Sequence, residues 1–162
     1  MIKKSLTNTI ALSILITALA MTGASQSGPG NFKIQDKTAK MLPGSYAVLG
    51  ETAAQGQFKA LLTFTSDGNV IGDEPSAFET AAHGNWANIG GSQVAYTFTS
   101  LIGGADSQLS GSLKVIGTLR LDAAQDKWSG PFKVEVFDAS GNVVFTDRGT
   151  FTGTRIQIES LD

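Results

Sequence analysis

Between residues 109 and 158 apolar and polar side chains alternate with a period of two, the spacing that sends successive side chains of an extended chain to opposite faces. Three long strands are predicted, at 109–122, 128–138 and 142–158. In the first, Leu113, Val115, Leu119 and Leu121 share one face, and Ser112, Lys114, Thr118 and Arg120 the other. In the second, Phe132, Val134 and Val136 oppose Lys133 and Glu135. Twist accumulates along strands of this length and bare edges invite aggregation, so the pattern predicts closure into a barrel.

The same period runs through the preceding segment. A first strand opens at Pro43-Gly44-Ser45-Tyr46 and runs to about Gly50, and a second, at 57–65, places Phe58, Ala60, Leu62 and Phe64 on one face. Ser66-Asp67-Gly68-Asn69 is a tight turn, because Asp, Gly and Asn tolerate positive φ. A short strand follows at 69–72. Residues 73–82, with Pro75, form the longest irregular connection, enough for one helical turn or a flap over a barrel mouth. Strands at 83–89 and 93–102 flank a Gly90-Gly91 turn, and the fifth carries Val94, Tyr96, Phe98 and Ser100 on one face. The turn is echoed later: Thr65-Ser66-Asp67-Gly68-Asn69 and Asp138-Ala139-Ser140-Gly141-Asn142 each precede apolar residues, so two hairpins share one turn chemistry. The prediction is therefore all-β, an eight-stranded antiparallel up-and-down barrel, with no helical period after the N-terminal segment.

That N-terminal segment reads as a targeting signal. Lys3 and Lys4 precede an apolar run at 10–20, and small residues follow at Ala18, Ala20, Gly23 and Ala24. The run is shorter than the roughly 20 residues that span a bilayer. Cleavage after Ala20 or Ala24 fits the small-residue rule, with Ala24 preferred. A retained anchor is the alternative. The expected organisation is a signal peptide at 1–24, a flexible polar leader at 25–42 that clips onto the barrel near Phe32 and Ile34, and a barrel domain at 43–162. The expected localisation is secreted or periplasmic, with no membrane span after cleavage.

Composition narrows the chemistry. The 162 residues suit one domain. A formal charge of -2 gives no basis for a nucleic-acid partner. With 0 Cys there is no disulfide, thiolate metal ligand or thiol nucleophile. His83 is the single His and opens a strand, which fits an exposed or capping role better than a catalytic one. No Gly-x-Ser-x-Gly elbow or metal-ligand cluster occurs, and no cofactor is expected. Asp122, Asp126 and Asp138 read as turn residues, and Trp86 and Trp128 as rim contacts or core plugs.

An eight-stranded barrel is just wide enough to be filled by side chains or to hold one small ligand. Taking the more apolar face of each strand as inward brings Phe58, Phe64, Tyr96, Phe98, Phe145 and Phe151 together, with Ala60, Gly117, Gly149 and Gly153 leaving room. The mixture favours a modest apolar cavity over a solid core, lined by those six aromatics. Tyr96 or Arg155 would supply a polar contact. Asp147 and Arg155 share the inward parity of the last strand, too far apart to pair directly, and Arg155 reads as a cap over one barrel end.

Gly44-Ser45-Tyr46 resembles the Gly-x-Trp opening of lipocalins, with Tyr in place of Trp, and Arg155 matches the Arg that closes their barrel end over that aromatic. Leu61-Leu62-Thr63-Phe64, His83-Gly84-Asn85-Trp86 and the run from Gly149 to Ile156 resemble small secreted bacterial lipocalin-like proteins of unassigned function. The likeness covers about 43–158. A related barrel serves allene oxide cyclase and some natural-product cyclases. The leading expectation is a barrel that binds a small hydrophobic molecule in its lumen. The alternatives are a cyclase or isomerase acting on a flexible apolar substrate, with Tyr96, Asp147 or Arg155 in the cavity, and a non-catalytic structural or surface interaction module.

Overall fold

Eight strands form in the computed structural model, which describes residues 42–104, 108–124 and 126–161, all within the unit Phe32–Asp162. The expected signal segment and nearly all of the leader lie outside the described residues. The strands are β1 (Gly44–Thr52), β2 (Gly56–Phe64), β3 (Asn69–Asp73), β4 (Ala82–Gly90), β5 (Gln93–Gly103), β6 (Leu109–Leu121), β7 (Lys127–Asp138) and β8 (Val143–Arg155). Each pairs antiparallel with its sequence neighbours, and β8 pairs back onto β1 from Tyr46↔Arg155 to Thr52↔Gly149, closing the barrel. No helix occurs among the described residues.

Two boundaries differ from the sequence pattern. Leu42, expected in the leader, is fully buried and accepts a hydrogen bond from the Tyr46 hydroxyl at 2.9 Å, so it belongs to the packed body. β8 ends at Arg155, opposite Tyr46, although alternation continues to Ile158; beyond the strand the Ile156 amide still donates to the Ser45 carbonyl at 2.8 Å. The β6–β7 ladder is interrupted between Gly117↔Phe132 and Arg120↔Ser129. Pro131 lies in that gap and has no amide proton to give, while a side chain on Gly130 would run into the Thr118 carbonyl.

The two echoed turns have the same geometry. In each, the first residue donates to the carbonyl four residues on (Thr65 to Asn69, Asp138 to Asn142, both 2.9 Å), and the glycine amide returns to the first carbonyl. Gly68 and Gly141 have φ of +92° and +84°, a region disfavoured for other residues.

The interior is asymmetric along the axis. At the end where the chain enters, Tyr46, Phe64, Trp86, Tyr96 and Trp128 interlock edge to face. Phe64 is the hub, meeting Tyr46 at 5.9 Å, Trp128 at 6.1 Å, and Trp86 and Tyr96 each at 6.3 Å between centroids. The Arg155 guanidinium lies 4.8 Å from the Tyr46 ring centroid and donates to the Pro43 carbonyl at 2.9 Å, sealing that end. A second stack, Phe132 on Phe151 at 4.0 Å with Phe58 edge-on to both, fills the middle.

Phe64 is 1% exposed, and its neighbours are too interlocked to collapse into the space a truncation would leave. Phe64→Ala is expected to cost about 3–5 kcal/mol by urea unfolding, against less than about 0.5 kcal/mol for Leu61→Ala on the outer face of the same strand, where Leu61 is 53% exposed.

Candidate functional site

The end opposite Arg155 is built from small residues. Gly50, Ala60, Gly72, Ala82 and Ser100 occupy inward positions there, and the connection 74–81 runs across it. The result is an inner gap of about 50 Å³ lined by Ala60, Leu62, Gly72, Ala82, Phe98, Ser100, Leu113, Val115 and Phe151, with Asp73, Glu74, Glu79 and Thr80 at its mouth. A water molecule takes about 30 Å³ of liquid and small-molecule sites run to about 300–1,000 Å³, so the gap is a starting pocket and not an open chamber.

The mouth is polar and acidic. The buried Ser100 hydroxyl donates to Glu79 Oε2 at 3.1 Å. Burial lifts the Glu74 carboxyl above its ordinary range, and the Glu79 and Asp73 charges push it the same way. Among the described residues the connection is fastened at its far side: Thr80 donates to the Leu101 carbonyl at 3.0 Å, Gly103 donates to the Phe78 carbonyl at 2.8 Å, and Glu79 bridges Ile102. Its nearer part carries the local contacts Ser76 to Glu74 and Phe78 to Ser76.

A second concavity lies on the outer wall. A groove of about 700 Å³ is lined by Ala47, Val48, Leu49, Lys59, Ala60, Leu61, Thr152 and Thr154 and rimmed by Asp73, Glu74 and Pro75. Asp73 and Glu74 thus border both the groove and the inner gap.

The aromatic residues expected to line one site are distributed over the barrel. Phe98 and Phe151 line the inner gap, and Phe58 packs on Phe151 at 5.8 Å. Phe64 and Tyr96 are locked in the aromatic plug, and Arg155 is at the sealed end, away from the gap. Phe145 pairs across from Val136, as its parity requires, yet is 47% exposed. β1 stops at Thr52, opposite Gly149, so Phe145 has no β1 strand beside it. Asp147 also lies past the end of β1, where its carboxylate accepts from the amides of Arg148 at 2.8 Å and Ala54 at 3.1 Å, bonds that lower its pKa. The Tyr96 hydroxyl is buried, has no hydrogen-bond partner among the described residues, and is driven upward in pKa by burial. Trp128 Nε1 is similarly unpartnered. His83 is exposed on β4. Among the residues that sequence reasoning left out of the site are Glu74, Glu79, Ser100, Leu113 and Val115. Ser100 carried a signal, its place on the inward face of the fifth strand.

No family model matches this chain, and no curated protein matches it. Among solved structures it is similar to a redesigned β-barrel, at 15% identity over 77% of this chain and 100% of that one, with a TM-score of 0.33.

The raised Glu74 pKa has a defined consequence. Its charged form is disfavoured in the folded state, so the penalty is present at neutral pH and disappears as pH falls through the raised folded value. Glu74→Gln is expected to raise the melting temperature at neutral pH, and the gain should shrink toward zero at about pH 4, where the wild-type carboxyl is largely protonated. Calorimetry of both proteins across that range checks it.

Proposed function

We propose that this chain is an exported, lipocalin-like barrel that binds one small, largely apolar molecule at the Ser100 end of its lumen, beneath the connection 74–81. The observation that carries this reading is the axial asymmetry: one end is sealed by Arg155 over Tyr46, while the other combines small inward residues with the Phe98 and Phe151 rings under a partly fastened cover. The gap of about 50 Å³ sets the mechanism. A ligand enters by displacing the cover near 74–77, places its apolar part against Phe98, Phe151, Leu113 and Val115, and exchanges hydrogen bonds with Ser100 or Glu79. The cost of opening the cover favours compact ligands over long chains.

A second reading, a non-catalytic structural or interaction module, is favoured by the aromatic filling of the middle and of the sealed end. The cyclase or isomerase alternative places Tyr96, Asp147 or Arg155 inside the cavity. The three lie in the plug, past the end of β1 and at the sealed end, and none lines the gap.

The test is a thermal-shift and native mass-spectrometry screen of the exported protein against compact terpenoids, short fatty acids and aromatic amides. A ligand at 100 times its Kd adds about 2.7 kcal/mol of stability. The expected result is a shift with at least one class, lost in Ala60→Phe, which fills the gap, and retained in Leu61→Ala. The absence of any shift and of any co-purified molecule would leave the structural module as the reading.

A further inference from the structure

We infer that the unpaired edge of β2 at residues 57–59 is the docking site of an extended peptide segment of a partner protein, one that alternates apolar and basic side chains and adds a strand to the barrel wall. This goes beyond the luminal reading and does not depend on it.

β2 is longer than the strand beside it. It runs over Gly56–Phe64, and β3 pairs only with residues 61–64. The Thr65 amide donates to the Asn69 carbonyl across the β2–β3 turn, and in an antiparallel ladder every second residue turns both its backbone groups to the same neighbour. The parity of Thr65 carries through Thr63 and Leu61 to Lys59 and Gln57, so the amides and carbonyls of those two residues point to the β3 side. Phe58 and Ala60 turn theirs to β1, opposite Gly50 and Val48. The register Leu61↔Asp73 explains why β3 stops early. Two residues further on, Pro75 would stand opposite Lys59, at a position that needs the N–H proline lacks. Among the described residues no backbone hydrogen bond reaches Gln57 or Lys59 from that side.

Two amides and two carbonyls along an edge are completed by another polypeptide backbone, the mode of strand addition. There is room for it: the groove of about 700 Å³ borders this edge, with Lys59, Ala60, Asp73, Glu74 and Pro75 in its lining. An added strand sends alternate side chains to opposite faces. The set opposite Gln57 and Lys59 shares their outward side and lies over the groove near Leu49 and Leu61, which are 44% and 53% exposed, so apolar residues fit there. The other set turns to the mouth of the inner gap, at Glu74 and Glu79. Burial and the charges of Glu79 and Asp73 all act against the Glu74 carboxylate, and no basic side chain offsets them, so bases fit that side.

Hydrogen exchange resolved by residue reads the edge itself. The Lys59 amide is expected to exchange about 100-fold faster than the Ala60 amide, which faces β1. The probe for binding is the peptide acetyl-Val-Lys-Val-Lys-Val-Lys-Val-amide, titrated calorimetrically into the purified protein. One-to-one binding with slowed exchange at Lys59 is expected. N-methylation of the valines, whose amides meet β2, should weaken binding about tenfold, and N-methylation of the lysines less than about threefold. A peptide with glutamate in place of lysine should not bind. Lys59→Pro removes an N–H that points away from β1 and should also weaken binding about tenfold; the methylated peptides carry the test on the unaltered protein if that variant fails to fold. Slow exchange at Lys59, no binding, equal losses from the two methylations, or binding of the glutamate peptide overturns the proposal. A dimer formed through β2 in place of peptide binding also overturns it and gives the edge to a second copy. The small-molecule screen run on Lys59→Pro reads the luminal proposal separately, since Lys59 is exposed and does not line the inner gap.

Discussion

The edge-to-face packing of Phe64 against four other aromatic rings is the contact on which the rest of the barrel depends. Those rings come from β1, β4, β5 and β7, so one side chain on β2 ties half the strands together at a single level. The geometry places the positive ring edge of one residue against the negative face of the next, worth about 0.5–1.5 kcal/mol per pair beyond burial alone. Arg155 extends the same principle to the closing strand. Its guanidinium covers the Tyr46 face while its hydrogen bond to Pro43 fixes the chain entering β1. The β1–β8 seam is therefore pinned by side chains as well as by its ladder.

Concentrating bulk at one end has a consequence at the other. The volume that rings take up around Phe64 is matched by small residues, Ala60, Gly72, Ala82 and Ser100, two or three layers along the axis. An all-apolar plug at both ends would produce an inert cylinder. Here the lightly filled end is bordered by Glu74 and Glu79, whose carboxyl groups are close to each other and partly withdrawn from water. Desolvation and the neighbouring carboxylates both disfavour the charged form of Glu74 there. Asp73 and Glu74 line both the inner gap and the outer groove.

The long strands also outrun the wall. β7 and β8 continue past the last residue of β1, and this explains why Phe145 and Asp147, inward by parity, do not face a lumen. Parity assigns a side of a sheet. Whether a neighbouring strand covers that side chain depends on where the partner strand stops, and for β8 that is set by the turn at 53–55 that ends β1, far away in sequence. The same limit applies to Tyr96, whose inward position was legible although its place inside the plug was not. It was fixed by the register that brings β4, β5 and β6 side by side, with Tyr96 between Trp86 and Gly117.

The sequence by itself determined the local physics: the eight strands and their approximate limits, the two equivalent hairpin turns at Asp67-Gly68 and Ser140-Gly141, and the inward face of each strand. These follow from side-chain alternation and from turn residues, which act over a few positions. The tertiary structure alone decided how much space the inward faces leave and where. Volume in a barrel is a sum over side chains drawn from all eight strands at one axial level, and the stagger that selects those side chains is a property of closure that no single segment encodes.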